Sequence, residues 1–173
     1  SSTLTKAFKL LDKYHAHIAR TTFHSCGINS YWIVGNSSKV HQTIKKSNEQ
    51  KNVENIATCD FSTLCTNIPH DDKLKTRMAD VISKAYEGSG KTYISVYSTS
   101  ASFVNKHKKD TKAYTKDQLI EMMNYLIDNC YVTCGDSLFR QKIGIPMGTD
   151  CAPFLANLFL YSLSLIHISE PTR

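Results

Sequence analysis

The sequence predicts an α+β fold in which antiparallel strands pack on helices. Two observations carry this prediction. Apolar residues recur with the 3.6-residue period of an amphipathic helix over several long segments. Two other segments alternate apolar and polar residues on either side of a turn, as β-hairpins do. The segments do not follow the βαβ order of a parallel sheet, and 173 residues fit one domain or part of a larger one.

Five segments are predicted to be helices, and two of them carry clear end signals. The segments are 4–19, 38–50, 70–87, 115–129 and 153–163. The third is expected to stop at Gly88 and Gly90, because glycine favours helix ends. Thr115 followed three residues later by Gln118 is a capping box that opens the fourth.

Strands are predicted in four segments. SYWIV (30–34) is expected to be a short strand, and NIATCDF (55–61) a buried one, because its run is too apolar to be half exposed. Residues 92–104 predict one hairpin, and residues 131–144 predict a second with its turn at Gly135.

The net charge is basic, at +6 with a pI of about 9.0. Such a surface suits a polyanionic partner such as nucleic acid, but many proteins without one are equally basic. The stretch NKHKKDTK (105–112) predicts a basic loop. Phosphate contact and a plain hairpin connection both remain open for it.

The cysteines and the apolar runs bear on location. Six cysteines without a C-x-x-C pair predict a reducing, intracellular setting, nucleus or cytoplasm. No run approaches the roughly 18 apolar residues of a membrane span, and residues 1–20 lack the apolar core of a signal peptide. No membrane partner is therefore predicted. The chain begins with Ser, so we expect it to be part of a longer product.

Two patterns suggest sites that the sequence context disfavours. AYEGSGKT (85–92) fits a relaxed phosphate loop, which needs a strand before it and a helix after it, whereas here the predicted helix comes first. His15, His17, His24 and Cys26 suggest a zinc site. On a helix, however, His15 and His17 point about 200° apart, so a solvated helix face is the preferred interpretation.

Asp60 is the first candidate for a functional residue. It ends the predicted buried strand within ATCDFSTLCTNIPH (57–70). A buried carboxylate must be paired, protonated or bound to metal, although it could also cap a turn by accepting backbone N–H groups near Thr63. A second stretch, 141–159, is a glycine-containing loop that leads into an apolar helix, and glycines there permit close approach of a ligand.

Together, DFSTLCTNIPH (60–70) and RQKIGIPMGTDCAPFLANLFLY (140–161) resemble the palm of reverse transcriptases, specifically of the Penelope-like retroelement group. In that family the first motif is a strand that ends in Asp and leads to "TNIP". The second is a G-x-x-M-G-[ST]-x-x-A-P-x-x-A-N loop and helix. The resemblance extends from about residue 20 to about residue 162. It implies a fragment of a right-hand polymerase, comprising the end of the fingers and the first half of the palm.

The resemblance implies a metal site at the first motif. Asp60 matches the carboxylate that binds both catalytic Mg²⁺ ions, and the Phe61 backbone carbonyl matches the auxiliary ligand. Hard oxygen ligands of this kind suit two-metal catalysis, in which the ions activate the primer 3′-hydroxyl and neutralise the leaving pyrophosphate.

The resemblance also implies contacts with nucleotide and template. The residues are Cys65, Gln141, Gly144, Pro146, Met147 and Gly148. At the position of Cys65 the family usually has an aromatic residue that blocks a ribose 2′-hydroxyl, so weaker discrimination against ribonucleotides is expected. Asp150 adds a negative charge to the loop and is assigned no catalytic role.

The resemblance therefore implies a fragment of an RNA-directed DNA polymerase, whose parent adds deoxynucleotides to a DNA primer on an RNA template. The family's Tyr-x-Asp-Asp hairpin does not occur in these residues, so the chain by itself is expected to be inactive. Residues 1–162 form the partial domain. LSLIHISEPTR (163–173) departs from the family pattern and resembles translated sequencing-adapter sequence. The alternatives are a non-catalytic nucleic-acid-binding remnant of the palm and, more remotely, a P-loop NTPase.

Overall fold

The structure is a computed structural model that describes residues 2–34, 36–50, 55–57, 64–145 and 148–169. At residues 26, 64, 65 and 166–169 it describes the backbone alone. Within these ranges the elements are α1 (Thr3–Cys26), α2 (Ser37–Gln50), α3 (Leu64–Asn67), α4 (Asp72–Ser89), β1 (Tyr93–Val96), β2 (Ala101–Val104), β3 (Lys112–Tyr114), α5 (Lys116–Asp128), β4 (Tyr131–Cys134), β5 (Ser137–Arg140) and α6 (Ala152–Ser169). The predicted α+β class is confirmed.

The core lies between four helices and one face of a small sheet. Helix α4 packs against α1, α5 and α6, and α1 also covers β1 and β2. The largest fully buried apolar side chains come from α1, α4, α5, α6 and β1, and include Phe8, Leu11, Met78, Ile82, Ile94, Leu119, Met123 and Leu158. Their spacing along each helix is the 3.6-residue period that predicted the helices, because that period keeps apolar side chains on one face.

The first sheet has the order β2-β1-β3, with both pairings antiparallel. The predicted hairpin at 92–104 is confirmed, and the Tyr97 N–H donates to the Ser100 carbonyl at 2.8 Å to close its turn. Strand β3 was not predicted, because three residues at the end of a basic run carry too little alternation to be recognised. It pairs Ile94 with Tyr114 and makes β1 the central strand.

Helix ends follow the predicted signals with one correction. The capping box at α5 is present in both directions, with Gln118 N–H to Thr115 Oγ1 at 3.3 Å and Thr115 N–H to Gln118 Oε1 at 3.0 Å. Helix α4 does not stop at Gly88 but continues to Ser89 and is capped by Gly90 at φ 62°. A β-carbon at Gly88 would meet the Tyr14 hydroxyl, so a larger residue there requires the Tyr14 side chain to shift.

The predicted strand at 30–34 is wrong, since this segment has no regular structure. Local hydrogen bonds to Asn29 replace strand pairing: its side-chain oxygen accepts from Tyr31 N–H at 3.0 Å, and its carbonyl accepts from Trp32 Nε1 at 2.6 Å. Of the predicted strand at 55–61, residues 55–57 are irregular and the remainder lies outside the described residues.

Helices α1 and α6 both run further than predicted. Helix α1 continues from 19 to Cys26, and α6 continues from 163 to Ser169. The Ser164 hydroxyl in this extension is buried and contacts the Ser30 carbonyl at 2.5 Å, so the first residues of the 163–173 segment pack on the body.

Candidate functional site

The end of the first motif and the start of the second lie side by side. Pro69 and Ile143 form an antiparallel bridge. The Gly144 N–H donates to the Ile68 carbonyl at 2.7 Å, and the His70 N–H donates to the Lys142 carbonyl at 3.4 Å. We call this pairing of residues 68–70 with 142–144 the motif bridge. It joins two stretches that the sequence separates by more than seventy residues.

The His70 imidazole adds a side-chain contact to the motif bridge. Its Nε2 donates to the Gly144 carbonyl, because a carbonyl oxygen can only accept. Among the described residues the buried Nδ1 has no hydrogen-bond partner. Gly144 thus uses both its backbone groups within the bridge. TNIPH belongs to the stretch that carries the resemblance, but no local pattern singles out His70.

Gly144 has a backbone reason to be glycine. Its φ is 96°, a region that side chains with a β-carbon rarely adopt. It is buried, and the chain turns there from the bridge toward the loop before α6. The sequence singled out Gly144 as a contact to nucleotide or template, and this structure gives it a role in directing the chain.

The motif bridge rests on the helical core. A small cavity of about 20 Å³ beneath it is lined by His70 and Gly144 and otherwise by apolar side chains, namely Leu74, Met78, Ile127, Ile145, Leu155 and Phe159. These side chains belong to α4, α5 and α6 or to the segment that follows the bridge. Their packing fixes the bridge relative to three helices, which is the rigid support a functional loop requires.

Gln141 ties the hairpin β4–β5 to the motif bridge. Its N–H donates to the Cys130 carbonyl at 2.8 Å, and its Nε2 donates to the Ile143 carbonyl at 2.8 Å. The Cys130 thiol contacts its Oε1 at 3.1 Å. Each polar atom of the Gln141 amide therefore has a partner within the protein.

Gly148 stands in a different environment from Gly144. A β-carbon added there would meet nothing within 4 Å, and its φ is not in the left-handed region. The residue is exposed, just before the turn that enters α6, where Ala152 N–H donates to the Thr149 carbonyl at 3.0 Å. The described surroundings give Gly148 no conformational or packing reason to be glycine.

The other residues singled out in the sequence are described in part or not at all. Asp60 and Phe61 lie outside the described residues, as do Pro146 and Met147. Cys65 lies in the short helix α3, where the structure describes its backbone alone. The structure therefore brings together the stretches that flank the assigned metal and nucleotide residues.

An ion-pair cluster that the sequence did not reveal lies beside the motif bridge. Lys75 Nζ contacts the two Asp128 carboxylate oxygens at 2.7 and 2.8 Å, and Arg140 Nε donates to the Asp128 carbonyl at 2.6 Å. The hydrogen bond from Lys75 lowers the Asp128 pKa, with further lowering by the charges of Lys75, Arg140 and His70. No local pattern could have identified the cluster, because its members come from α4, α5 and β5.

Within the described ranges, no group of three or more His, Cys, Asp or Glu side chains is placed to hold a metal ion. Asp60 and Phe61, the ligands that the resemblance names, are not in those ranges. The magnesium assignment therefore rests on the resemblance.

The sequence predicted that the histidines of α1 lie on a solvated helix face, and for His15 this prediction is wrong. His15 is only 2% exposed, and its Nε2 donates to the Val81 carbonyl at 3.0 Å. Burial lowers the pKa of His15 to about 4, so the ring is neutral at pH 7. His17 and His24 are exposed as expected.

The AYEGSGKT stretch is the C-terminal end of α4 followed by β1. Helix N-termini, not C-termini, present the N–H groups that bind phosphate. The helix-stop interpretation is therefore correct for Gly90, which is the cap, and wrong for Gly88, which lies inside α4.

Across the described residues, none of the helices is long and apolar enough to cross a membrane. Comparison with protein-family models, curated proteins and solved structures gave no match to this chain.

Proposed function

We propose that this chain is the central part of a reverse transcriptase, the end of the fingers and the first half of the palm. The parent enzyme adds deoxynucleotides to a DNA primer on an RNA template. When bound, two Mg²⁺ ions activate the primer 3′-hydroxyl and neutralise the leaving pyrophosphate. Asp60 and the Phe61 carbonyl would hold these ions together with carboxylates from elsewhere in the enzyme.

The motif bridge is the observation that carries the proposal. A polymerase site needs the metal-binding strand end and the nucleotide-facing loop next to each other. The hydrogen bond from Gly144 N–H to the Ile68 carbonyl, at 2.7 Å, and the Pro69–Ile143 pairing join residues 68–70, which follow Asp60 in the first motif, to residues 142–144 at the start of the loop, and this contact supports the proposal. Neither stretch alone would have this significance, because isolated glycine loops and strand-end carboxylates occur in many proteins.

The residues around the bridge then have distinct tasks. Gly144 and His70 fix the start of the loop through the bridge hydrogen bonds. Gly148, with open space around it, leaves room for a base pair to approach the backbone. By the resemblance, Pro146 and Met147 would contact the templating base pair and the incoming nucleotide. Cys65 is smaller than the aromatic residue typical of the family, and weaker discrimination against ribonucleotides is expected from it.

Primer extension tests the proposal. The protein should be expressed together with the residues that its gene encodes in frame beyond Leu160. It should extend a DNA primer on an RNA template in Mg²⁺, and Asp60→Asn should reduce extension to background, because an amide cannot replace the ionised ligand. Asp150→Asn is the matched control, since it makes the same change in the loop and should retain extension.

Extension that survives Asp60→Asn would refute the assignment of that carboxylate. A wild-type protein that binds template and primer but never extends the primer would favour the alternative, a non-catalytic nucleic-acid-binding remnant of the palm. The 173-residue chain alone carries one of the three carboxylates that the resemblance requires, and we expect no extension from it.

A further inference from the structure

Three lysines of α1 line a surface pocket together with the turn between β1 and β2. The pocket has a volume of about 160 Å³, and its lining includes Lys6, Lys9, Lys13, Thr99 and Ser100. We call it the lysine pocket. Every ionisable side chain in its lining is a lysine, and two hydroxyl residues stand opposite them.

The lysines share one face of α1 because their spacing is i, i+3 and i+7. At about 1.5 Å per residue, Lys6 and Lys13 lie about 10 Å apart along the helix axis. The three ammonium groups therefore form a short row of positive charge, to which phosphates of one strand can bind.

Lys6 is held in place before any ligand arrives. Its ammonium group donates to the Tyr97 carbonyl at 3.1 Å and to the Ser98 carbonyl at 2.6 Å. An ammonium group has three N–H donors, so one remains for an incoming oxygen. Because these contacts already restrict the side chain, binding there loses less conformational entropy than at a free lysine.

The closest acid along the helix is engaged elsewhere. The Asp12 carboxylate accepts a hydrogen bond from the Tyr31 hydroxyl. The salt bridges between described residues involve other cations, namely Lys75, Lys84 and Arg140. Lys9 and Lys13 are exposed and point charge toward solvent at the pocket rim.

We propose that the lysine pocket binds the phosphodiester backbone of a single-stranded nucleic acid, independently of base sequence. Lysine ammonium groups and Ser or Thr hydroxyls are typical phosphate contacts, and such contacts position a strand without reading its bases. The choice of nucleic acid over other polyanions rests on the proposed function, whereas the pocket itself does not involve Asp60. It lies on α1 and the β1–β2 turn, away from the elements that form the motif bridge.

The test measures affinity for a fluorescein-labelled oligodeoxythymidine by anisotropy, with the full chain, between about 50 and 200 mM salt. Each single-strand phosphate contact contributes about 0.7 to the slope of log K against log salt, so Lys9→Gln/Lys13→Gln should lower the slope by about 1.4. Lys45→Gln/Lys46→Gln on α2 removes the same charge from two other exposed lysines and should leave the slope unchanged.

Three results would overturn the inference. The wild-type chain could fail to bind the oligonucleotide, the pocket variant could keep the wild-type slope, or polyglutamate could compete as well as unlabelled oligonucleotide. The substitutions are at exposed positions, and circular dichroism verifies that both variants fold. Asp60→Asn should not alter the slope, so failure of the polymerase proposal and failure of the lysine pocket remain distinguishable.

Discussion

The two hairpins of this chain have strands of equal length but opposite surroundings. Strands β1 and β2 form a hairpin whose first strand is largely buried, whereas every residue of β4 and β5 is exposed. Strand β1 is flanked by β2 and β3 and covered by α1. Among the described residues, the second sheet consists of β4 and β5. Alternation and a turn therefore specify which strands pair, whereas the burial of their side chains depends on which other elements pack against the sheet.

The exposed hairpin is held at its base. Gln141 N–H pairs with the Cys130 carbonyl, and Arg140 contacts Asp128 at the end of α5. Two-stranded hairpins are only marginally stable in water, so these contacts and the motif bridge secure its position. The motif bridge therefore joins a well-packed body to a hairpin with little packing of its own.

The largest expected effect separates the two hairpins directly. Ile94→Ala in β1 should lower the free energy of unfolding by about 2–5 kcal/mol, because Ile94 is 0% exposed and the cavity lies in the core. Leu138→Ala in β5 is the matched change at a 66% exposed side chain and should stay within about 0.5 kcal/mol. Urea unfolding of both variants measures the difference, and equal losses would show that the contrast in burial is wrong.

A second prediction concerns how pH affects the buried and the exposed hairpin. The pKa of His15 is lowered to about 4 from 6.5, so the unfolded chain binds the proton more readily. The free energy of unfolding should fall as pH falls from about 6.5 to about 4 and then level off for this group, by about 3 kcal/mol in total. The opening free energy of β1, obtained from amide exchange after correction for the intrinsic exchange rate at each pH, should follow this fall, whereas that of β4 should not.

His15→Gln is the control for the pH effect. An amide does not titrate, and it can still donate to the Val81 carbonyl that His15 contacts. The difference between wild type and variant isolates His15 from the carboxylates that also titrate on acidification. A wild-type protein whose β1 exchange shows the same pH dependence as the variant's would contradict the buried, neutral ring.

The smallest loss of stability is expected at the motif bridge, where the hairpin β4–β5 joins the helical core. Gly144→Ala should lower the free energy of unfolding by about 1–3 kcal/mol, because alanine is strained at φ 96°. Gly148→Ala should leave stability nearly unchanged, since its β-carbon meets open space.

In the protein expressed with the residues encoded beyond Leu160, however, Gly148→Ala should reduce primer extension, because the added methyl group would crowd the base pair. Thermal unfolding with extension assays tests the pair, and a destabilised Gly148→Ala would contradict the geometry.

Much of the fold followed from local patterns. Helices α4 and α5 and both hairpins carry their period, caps and turns within a few residues, so physical rules of short range suffice. Strand β3 and the irregular segment at 30–34 could not be predicted in this way. The first depends on pairing with Ile94, and the second on hydrogen bonds to Asn29. The burial of His15 likewise depends on α4 supplying the Val81 carbonyl.

Some features of the candidate site likewise follow from local patterns, and others depend on long-range packing. The two motifs could be recognised from the sequence because each is a contiguous pattern. Their contact through Pro69 and Ile143, and the role of His70 in it, depend on long-range packing that no spacing encodes. The ion pairs of Asp128 are equally nonlocal.

One measurement tests the central proposal most directly: reading the source gene in frame beyond the codon for Leu160. The account predicts that family-like sequence continues there and leads to a Tyr-x-Asp-Asp hairpin, which would supply the two carboxylates that Asp60 requires as partners. A gene that encodes LSLIHISEPTR and then stops would contradict it. No polymerase would then be encoded, and the chain could serve at most as a nucleic-acid-binding remnant.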